Sequence, residues 1–595
     1  MINYSNRHFP HDRLKALLLL LLVGLIYLPF IGNPLVFDDK PFFSGVLGFS
    51  EEPFNFHIRW FPYTSLGVTS VFFGEDPPMF RVQNLLLHGM NVLLLLLLLR
   101  LWIGVFITDS GKEKMVEWGA WLGALVFACH PLAVYGVGYL VERSILMATL
   151  FTLVMQLAYL RGLLENKKIY LALAVAAYFL AVFSKEHSVM APAILLPLTW
   201  LLRERIKFSA RVLLATWLGF ALVAVLVVIS QKGLLGVAYE PDAASLFGQQ
   251  EKMPQGAYLL SVLTQSGLFF KYCLLMLLPN PAWMSIDMRE TFLFSYRDWA
   301  SWIGLLAFLG YGLFALRCLF RGGRSALLGL AMLYPWLLFM TEFSTIRVQE
   351  SFVLYRSYLW LPGFMLLVPL LVSVLQSKEC SFPLPGGRLG WGLARRYNQA
   401  STPTLTLLRV PGQKFYGLHG GGDEMQQRCS GGLSGFVLIG GLIAVLLVPL
   451  AWNRLWVFAD DYRLWDDAVQ LLHGEDRLGA QRTYYNRALA SVAKKDWDAA
   501  IADYRKSLSI DASHPQVYTA LAIAYYGAKR YTEALAVFDK VIALDEKNAR
   551  AYYYKGIVMN ALKDKAGALS NMQKSCALGD MTACAIVSMS QSKKN

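Results

Sequence analysis

Two adjacent acids, Asp38 and Asp39, follow a greasy run and open the stretch F-D-D-K-P-F-F. An acid at the centre of a membrane helix costs ~2.5–3.5 kcal/mol, and less near the interface. Such a pair therefore points to a functional site, with plain solvation at the interface as the alternative. Four more clusters of polar residues interrupt or flank apolar runs: His88 in N-L-L-L-H-G-M-N; Glu142 and Arg143 in Y-L-V-E-R-S; Lys185, Glu186 and His187 in F-S-K-E-H-S; and Arg347, Glu350, Arg356 and Tyr358 in R-V-Q-E-S-F-V-L-Y-R-S-Y. A single such pair reads as a structural salt bridge. Several clusters facing one side read as a site. Basic side chains beside a lipid-exposed cavity suit a phosphate, and a carboxylate among them suits a general base. His88, about a turn inside its run, reads first as a helix-packing histidine.

The elements that must position these groups are helices. The chain has 595 residues, of which 56% are hydrophobic and only 16% charged, too few charges for a soluble protein of this size. Apolar runs of about 20 residues match a ~30 Å hydrocarbon layer. Candidate spans are 14–31, 83–107, 118–138, 144–164, 169–183, 188–202, 211–231, 257–279, 300–317, 326–343, 357–376 and 433–452, with those at 169–183 and 188–202 short. The first lacks a small-residue cleavage site and reads as an anchor. The net charge of +14 fits basic cytoplasmic loops; without a basic-aromatic module it does not indicate nucleic acid. No nucleophile elbow, P-loop or HExxH motif occurs.

Lysines and arginines set the orientation. Arg7, Arg13 and Lys15 place the N-terminus in the cytoplasm, so every cluster except His88 falls at the outer face with Asp38. Counting spans from the two ends disagrees by one between 211 and 300. Either 257–279 is re-entrant or a short crossing lies in 232–256. The expected total is 11–13, and an odd total puts the C-terminus outside. Segment 377–432, rich in Gly, Pro and basic residues, reads as a cytoplasmic loop.

After 453, read as the start of a linker helix to 480, the composition changes and a 34-residue period appears. Ala500, Ala534 and Ala568 recur at that spacing, as do Tyr484, Tyr518 and Tyr552, and Ala488, Ala522 and Gly556. These are three tetratricopeptide repeats, 481–514, 515–548 and 549–582, whose stacked helices form a concave surface for a partner. The fold class is all-α: a polytopic transmembrane helix bundle with a C-terminal solenoid. Cys576 and Cys584 lie eight apart, similar to the disulfide pairs of secreted Sel1-like repeats; two free thiols are the alternative. The other five cysteines lack metal-ligand spacing.

F-D-D after the first span resembles the acidic motif in the first external loop of GT-C glycosyltransferases. H-I-R-W-F-P-Y-T-S-L, N-L-L-L-H-G-M-N-V-L-L, H-P-L-A-V-Y-G-V-G-Y-L-V-E-R-S and F-S-K-E-H-S, in that order, resemble the transmembrane and tetratricopeptide-repeat O-mannosyltransferases. L-Y-R-S-Y-L-W-L-P is similar to a later motif of theirs, with one residue more between Arg356 and Pro362. The resemblance covers most of the chain except 377–432. It implies a GT-C-like catalytic domain over 1–376 plus the span 433–452, using a polyprenyl-phosphate-linked sugar in an inverting single displacement. Asp38 would be the base, with Asp39 a loop-fixing or cation-binding neighbour. Arg356, with Lys185 or Arg143, would hold the departing phosphate. The acceptor would be a secreted or pilin-like protein captured by repeats on the periplasmic side of a bacterial inner membrane. A divalent cation stays open, with Asp38, Asp39 and Glu350 the available oxygens. An envelope-glycan ligase or polymerase, and a non-enzymatic scaffold, are the alternatives.

Overall fold

The computed structural model describes residues 12–41, 43, 59–106, 113–230, 237–238, 256–379 and 422–592. Most of the basic segment 377–432 and of the possible short crossing in 232–256 lies outside them. Among the described residues, nine helices are long and apolar enough to cross a membrane, and ten if the pair Val116–Cys129 and Pro131–Val137, bent by 50°, is one span. The two short candidates explain the difference from the expected count. Lys168–Ser184 is a helix of 17 residues. Segment 188–202 breaks into a 3-10 stretch, Glu186–Ile194, and a short helix, Leu195–Leu201, because Pro192 and Pro197 each remove a backbone donor.

The helices have two kinds of face. On Asp12–Tyr27, Leu19, Val23, Ile26 and Tyr27 are buried, while Leu17, Leu21 and Leu25 are at least half exposed. A stripe at helical spacing thus packs inward and leaves leucines for lipid, where exposure costs nothing. Arg143–Glu165 is the central helix and is buried on nearly every side. Asn166, at φ 55°, caps its end in the left-handed conformation and lets the chain turn straight into Lys168–Ser184. Gly162 admits the Leu171 side chain where a Cβ would meet it at 2.8 Å.

One helix behaves differently from its composition. Ala257 and Leu260 of Ala257–Leu277 pack with Ile346 and Val348, at the end of the bundle that carries Asp38. Met284, seven residues past Leu277, is at that end too: its carbonyl accepts from Arg454 Nη1 (2.6 Å), which also pairs with Asp467. Seven residues reach about 25 Å when fully extended, and these include the 3-10 turn Pro281–Trp283. That is too short to return across ~30 Å. Ala257–Leu277 and the loop after it are thus tied to one end of the bundle, the arrangement expected of the re-entrant alternative for 257–279, while its length and composition alone would let it cross.

The expected linker helix over 453–480 is interrupted. The long helix Gly422–Val457 runs on from the last span, and a separate helix, Asp461–Gln470, follows. Three helical pairs then stack: Ala480–Ala493 with Trp497–Ile510, Pro515–Gly527 with Tyr531–Leu544, and Ala549–Ala561 with Lys565–Ala577. Ala488, Ala500, Ala522 and Ala534 are fully buried, letting each pair approach closely, and Tyr504, Phe538 and Met572 fill the gaps between pairs. Lys495, Lys529 and Lys563, 34 residues apart, each take a left-handed turn between the helices of a pair. Cys576 and Cys584 form a disulfide.

Candidate functional site

The two neighbouring acids diverge at Phe37, whose φ of 47° turns the chain. Asp39 points inward and is fully buried. Its Oδ1 accepts the Val141 N–H (2.9 Å), and its Oδ2 those of Val36 and Leu140 (3.4 Å each). It thereby caps the 3-10 turn Leu140–Glu142 that starts the central helix. Arg81 holds the loop from the other side, donating to the Ile31 and Pro34 carbonyls (3.2 and 2.6 Å). Burial pushes the Asp39 carboxyl up to about 7, against the opposing pull of the three N–H donors and Arg81.

Two consequences follow for stability. Asp39→Ala leaves three N–H groups without their acceptor and is expected to cost about 2–4 kcal/mol, read as a fall in unfolding temperature; Asp39→Asn keeps one acceptor oxygen but sets its NH2 against an N–H donor, so it should fall between Asp39→Ala and the parent. Because the folded pKa is raised, the carboxyl's contribution is present below about pH 4 and lost as pH rises through about 7. Asp39→Asn should flatten that part of the stability profile.

Asp38 points the other way and is exposed. Its N–H donates to the Tyr139 hydroxyl (3.2 Å). Burial raises its carboxyl pKa, while the Tyr139 hydroxyl and Arg482 pull it down and Glu350 and Glu142 push it up. A carboxylate raised above its usual range yet open to water suits a general base.

The cations gather beside it. Lys185, buried at the end of Lys168–Ser184, donates to Glu142 Oε2 and Oε1 (3.0 and 3.2 Å) and Ser144 Oγ (3.2 Å). Its Nζ lies 4.7 Å from the Tyr355 ring centre. Arg59 forks onto Glu186 (3.0 and 2.5 Å). Burial would raise the Glu186 carboxyl, but Arg59 and His187 outweigh it and hold it well below the usual range. His187 spans Glu186 (Nδ1, 3.4 Å) and Glu342 (Nε2, 3.2 Å). Glu342 is fully buried; its Oε2 accepts from Arg356 Nη1 (2.7 Å) and forms an ion pair with Arg347 Nε (3.5 Å). The Tyr355 ring joins this cluster to the acid: it lies 6.3 Å from the Tyr139 ring and 5.9 Å from Arg356 Cζ.

Glu142, Lys185, Glu186, Arg347 and Arg356 thus belong, with Arg59 and Glu342, to one network in which four cations face three carboxylates, and Asp38 lies beside it. Sequence reasoning did not single out Arg59, Tyr139, Glu342 or Tyr355. Glu342 carried a usable signal, an acid at the end of an apolar span.

Other expected site residues go elsewhere. Arg143 turns into the helix packing: it donates to Asn84 Oδ1 (3.0 Å), the Ser65 and Phe80 carbonyls (3.1 Å each) and Thr69 Oγ1 (3.1 Å). That ties Trp60–Phe73 and Pro77–Phe106 to the central helix and places it on backbone oxygens rather than in the network. His88 and Tyr358 are both fully buried and hydrogen-bonded to each other (Nδ1 to hydroxyl, 2.7 Å), with Asn91 Nδ2 on the same hydroxyl (3.2 Å). They form a helix-packing contact. Glu350 pairs with Arg482 (2.7 Å) on the repeat side. Among the described residues no three His, Cys, Asp or Glu side chains are grouped to hold a metal ion, so Asp38, Asp39 and Glu350 do not form a cation site.

A family model described as Tetratricopeptide repeat matches residues 491–568. This stretch is therefore a repeat of the kind that binds proteins, appended to long apolar helices compatible with a membrane. No curated protein matches the chain.

Proposed function

We propose that the protein is a membrane glycosyltransferase that moves a sugar, mannose by the resemblance noted above, from a polyprenyl phosphate to a hydroxyl of a protein. The observation that carries this reading is the convergence, at one end of the helix bundle, of water-accessible Asp38 with a network holding one more cation than carboxylate. In the proposed displacement Asp38 takes the proton from the acceptor hydroxyl. The acceptor oxygen bonds the anomeric carbon as the bond to phosphate oxygen breaks, and the electron pair leaves with the phosphate. Arg356 and Lys185 face that developing charge, where fixed cations help most. Arg347 and Arg59 supply the rest of the positive field.

The same end of the bundle carries the repeats: Lys40 pairs with Asp461, and Phe37 packs on Trp465. A disulfide from the last repeat to the helix that follows it fits an oxidising compartment, and the distribution of basic residues supports one outside the cytoplasm. A secreted or pilin-like protein seated in the repeat groove would then present its hydroxyl beside Asp38.

The test is direct. The purified protein in lipid nanodiscs is given a polyprenyl-phosphate sugar and a serine- and threonine-containing polypeptide, and transfer is read by mass spectrometry. Sugar on the polypeptide supports the proposal. Transfer only to a glycan acceptor replaces it with a glycan ligase, and no transfer to either leaves a scaffold. Deleting 515–595 removes two repeats but keeps the first helical pair. It is expected to lower transfer to the polypeptide by roughly tenfold or more, equivalent to losing at least ~1.4 kcal/mol of groove binding. Donor hydrolysis should persist. Equal loss of both would remove the repeats from acceptor capture.

A further inference from the structure

The repeat region does not hang beside the site; one of its side chains reaches into it. Arg482, on Ala480–Ala493, the first helix of the repeats, stacks its guanidinium over the Phe37 ring at 5.0 Å. The same guanidinium donates to Glu350 Oε1 (2.7 Å) and Asp287 Oδ1 (3.1 Å). We propose that Arg482 is a positioning residue of the membrane-embedded site, holding the Phe37–Asp38 loop in its working conformation and making the first repeat a fixed wall of that site. The proposal rests on the reading of Asp38 as the base.

The loop needs such a hold. A left-handed backbone at a bulky residue such as Phe37 costs roughly 1–2 kcal/mol and persists only where its surroundings over-determine it. Three groups surround the Phe37 ring: Tyr139 at 6.2 Å, Trp465 at 5.4 Å and Arg482 at 5.0 Å. Two of them come from the chain beyond residue 460. Lys40, on the other side of the two acids, pairs with Asp461 of the same region. The loop is therefore clamped at both ends by the C-terminal part of the chain.

Arg482 is itself held. Its partner Asp287 also receives Arg289 (2.8 Å) and the Thr483 hydroxyl (3.0 Å). Burial raises the Asp287 carboxyl, but Arg289 and Arg482 outweigh it and hold it near about 2. Arg477 Nη1 donates to the Arg289 carbonyl (2.8 Å). Gly479, at φ 79°, lies where a Cβ would come within 2.4 Å of the Arg289 guanidinium, so only a glycine allows this approach. The seam is thus built from both sides, and Arg482 is its member nearest the acids.

A domain anchor alone would account for the ion pairs but not for a cation on the Phe37 ring and within electrostatic reach of Asp38. The charged and titratable groups around Asp38 are Tyr139 and Glu142 from the central helix and its approach, Glu350, Arg482 from the repeats, and its neighbours Asp39 and Lys40. Of these, Lys40 and Arg482 are the cations, and Arg482 is the one that the repeats supply and that draws the Asp38 carboxyl down.

The experiment compares full-length parent, Arg482→Gln and Arg482→Lys in nanodiscs, with a polyprenyl-phosphate sugar and a polypeptide acceptor. It reads the pH dependence of kcat/KM, the value of kcat, and hydrogen exchange over 35–41. For Arg482→Gln the acid limb should move up by about one pH unit, kcat should fall roughly tenfold through misplacement, and the loop should exchange faster. Arg482→Lys keeps the charge and loses the fork, so its acid limb should return toward the parent while kcat stays reduced. If Arg482→Gln does not fold, Arg482→Lys alone decides, through kcat and loop exchange. A parent that transfers sugar and a variant with the same profile, kcat and exchange would overturn this proposal and leave the proposed function standing. A parent that transfers nothing overturns both.

Discussion

Asp38→Asn is expected to lower sugar transfer by about 10²–10⁴, the range a positioned general base contributes, with little change in unfolding temperature. The substitution keeps the side chain's size and the backbone N–H that bonds the Tyr139 hydroxyl, so the loop has no reason to move. What it removes is the group proposed to take the acceptor's proton. The loss should fall on kcat while the donor KM holds, since the cations proposed to face the phosphate are untouched. The measurement is steady-state transfer at saturating donor, paired with thermal unfolding. Should Asp39→Asn prove inactive while Asp38→Asn stays active, the roles of the two acids would have to be exchanged.

Glu342→Ala is expected to act in the opposite way, destabilising the bundle by about 3–5 kcal/mol, as removal of one partner from a buried charge cluster does. Glu342 is fully buried, accepts from Arg356, and lies within ion-pair distance of Arg347 and His187. Without it two guanidiniums face each other in an interior that screens them poorly. Glu342→Gln keeps the volume and a carbonyl acceptor but not the charge, so it should lie between the two. Thermal unfolding in detergent, read by monodisperse recovery on size exclusion, checks the order of the three proteins. A Glu342→Ala protein as stable as the parent would show that water or lipid phosphate already compensates the arginines.

The contrast between these two carboxylates shows what was legible in the sequence. The bundle could be read because ~20-residue apolar runs have few other uses, and the solenoid because alanines and tyrosines return every 34 residues. Charged residues interrupting apolar runs mark the candidate site, and Asp38, Lys185, Glu186 and Arg356, singled out on that ground, lie near one another in the structure. The partners were not. Arg59 meets Glu186 across 127 residues and Tyr139 meets Asp38 across 101, and no local pattern encodes such pairings. Arg143 and Lys185 looked alike, each a cation beside an apolar run. They part because Arg143 stands at the start of the central helix against the Ser65 and Phe80 carbonyls of two packed helices, whereas Lys185 ends a helix opposite Glu142. The 3-10 break over 186–194 followed from Pro192, which the apolar composition of 188–202 had masked.

The helix Ala257–Leu277 has a further consequence. An element that returns to the side it left contributes nothing to the parity of the chain. If Ala257–Leu277 is such an element, the segment between the helix ending at Ser230 and the one starting at Trp299 can lengthen, shorten or be reshaped without turning the repeats to the opposite side. Within it Ala257, Leu260 and Phe292 pack with Leu478, a few residues before Arg482 of the Asp287–Arg482 seam. Variation in this stretch would then remodel the contacts at the seam while every crossing after it keeps its sense.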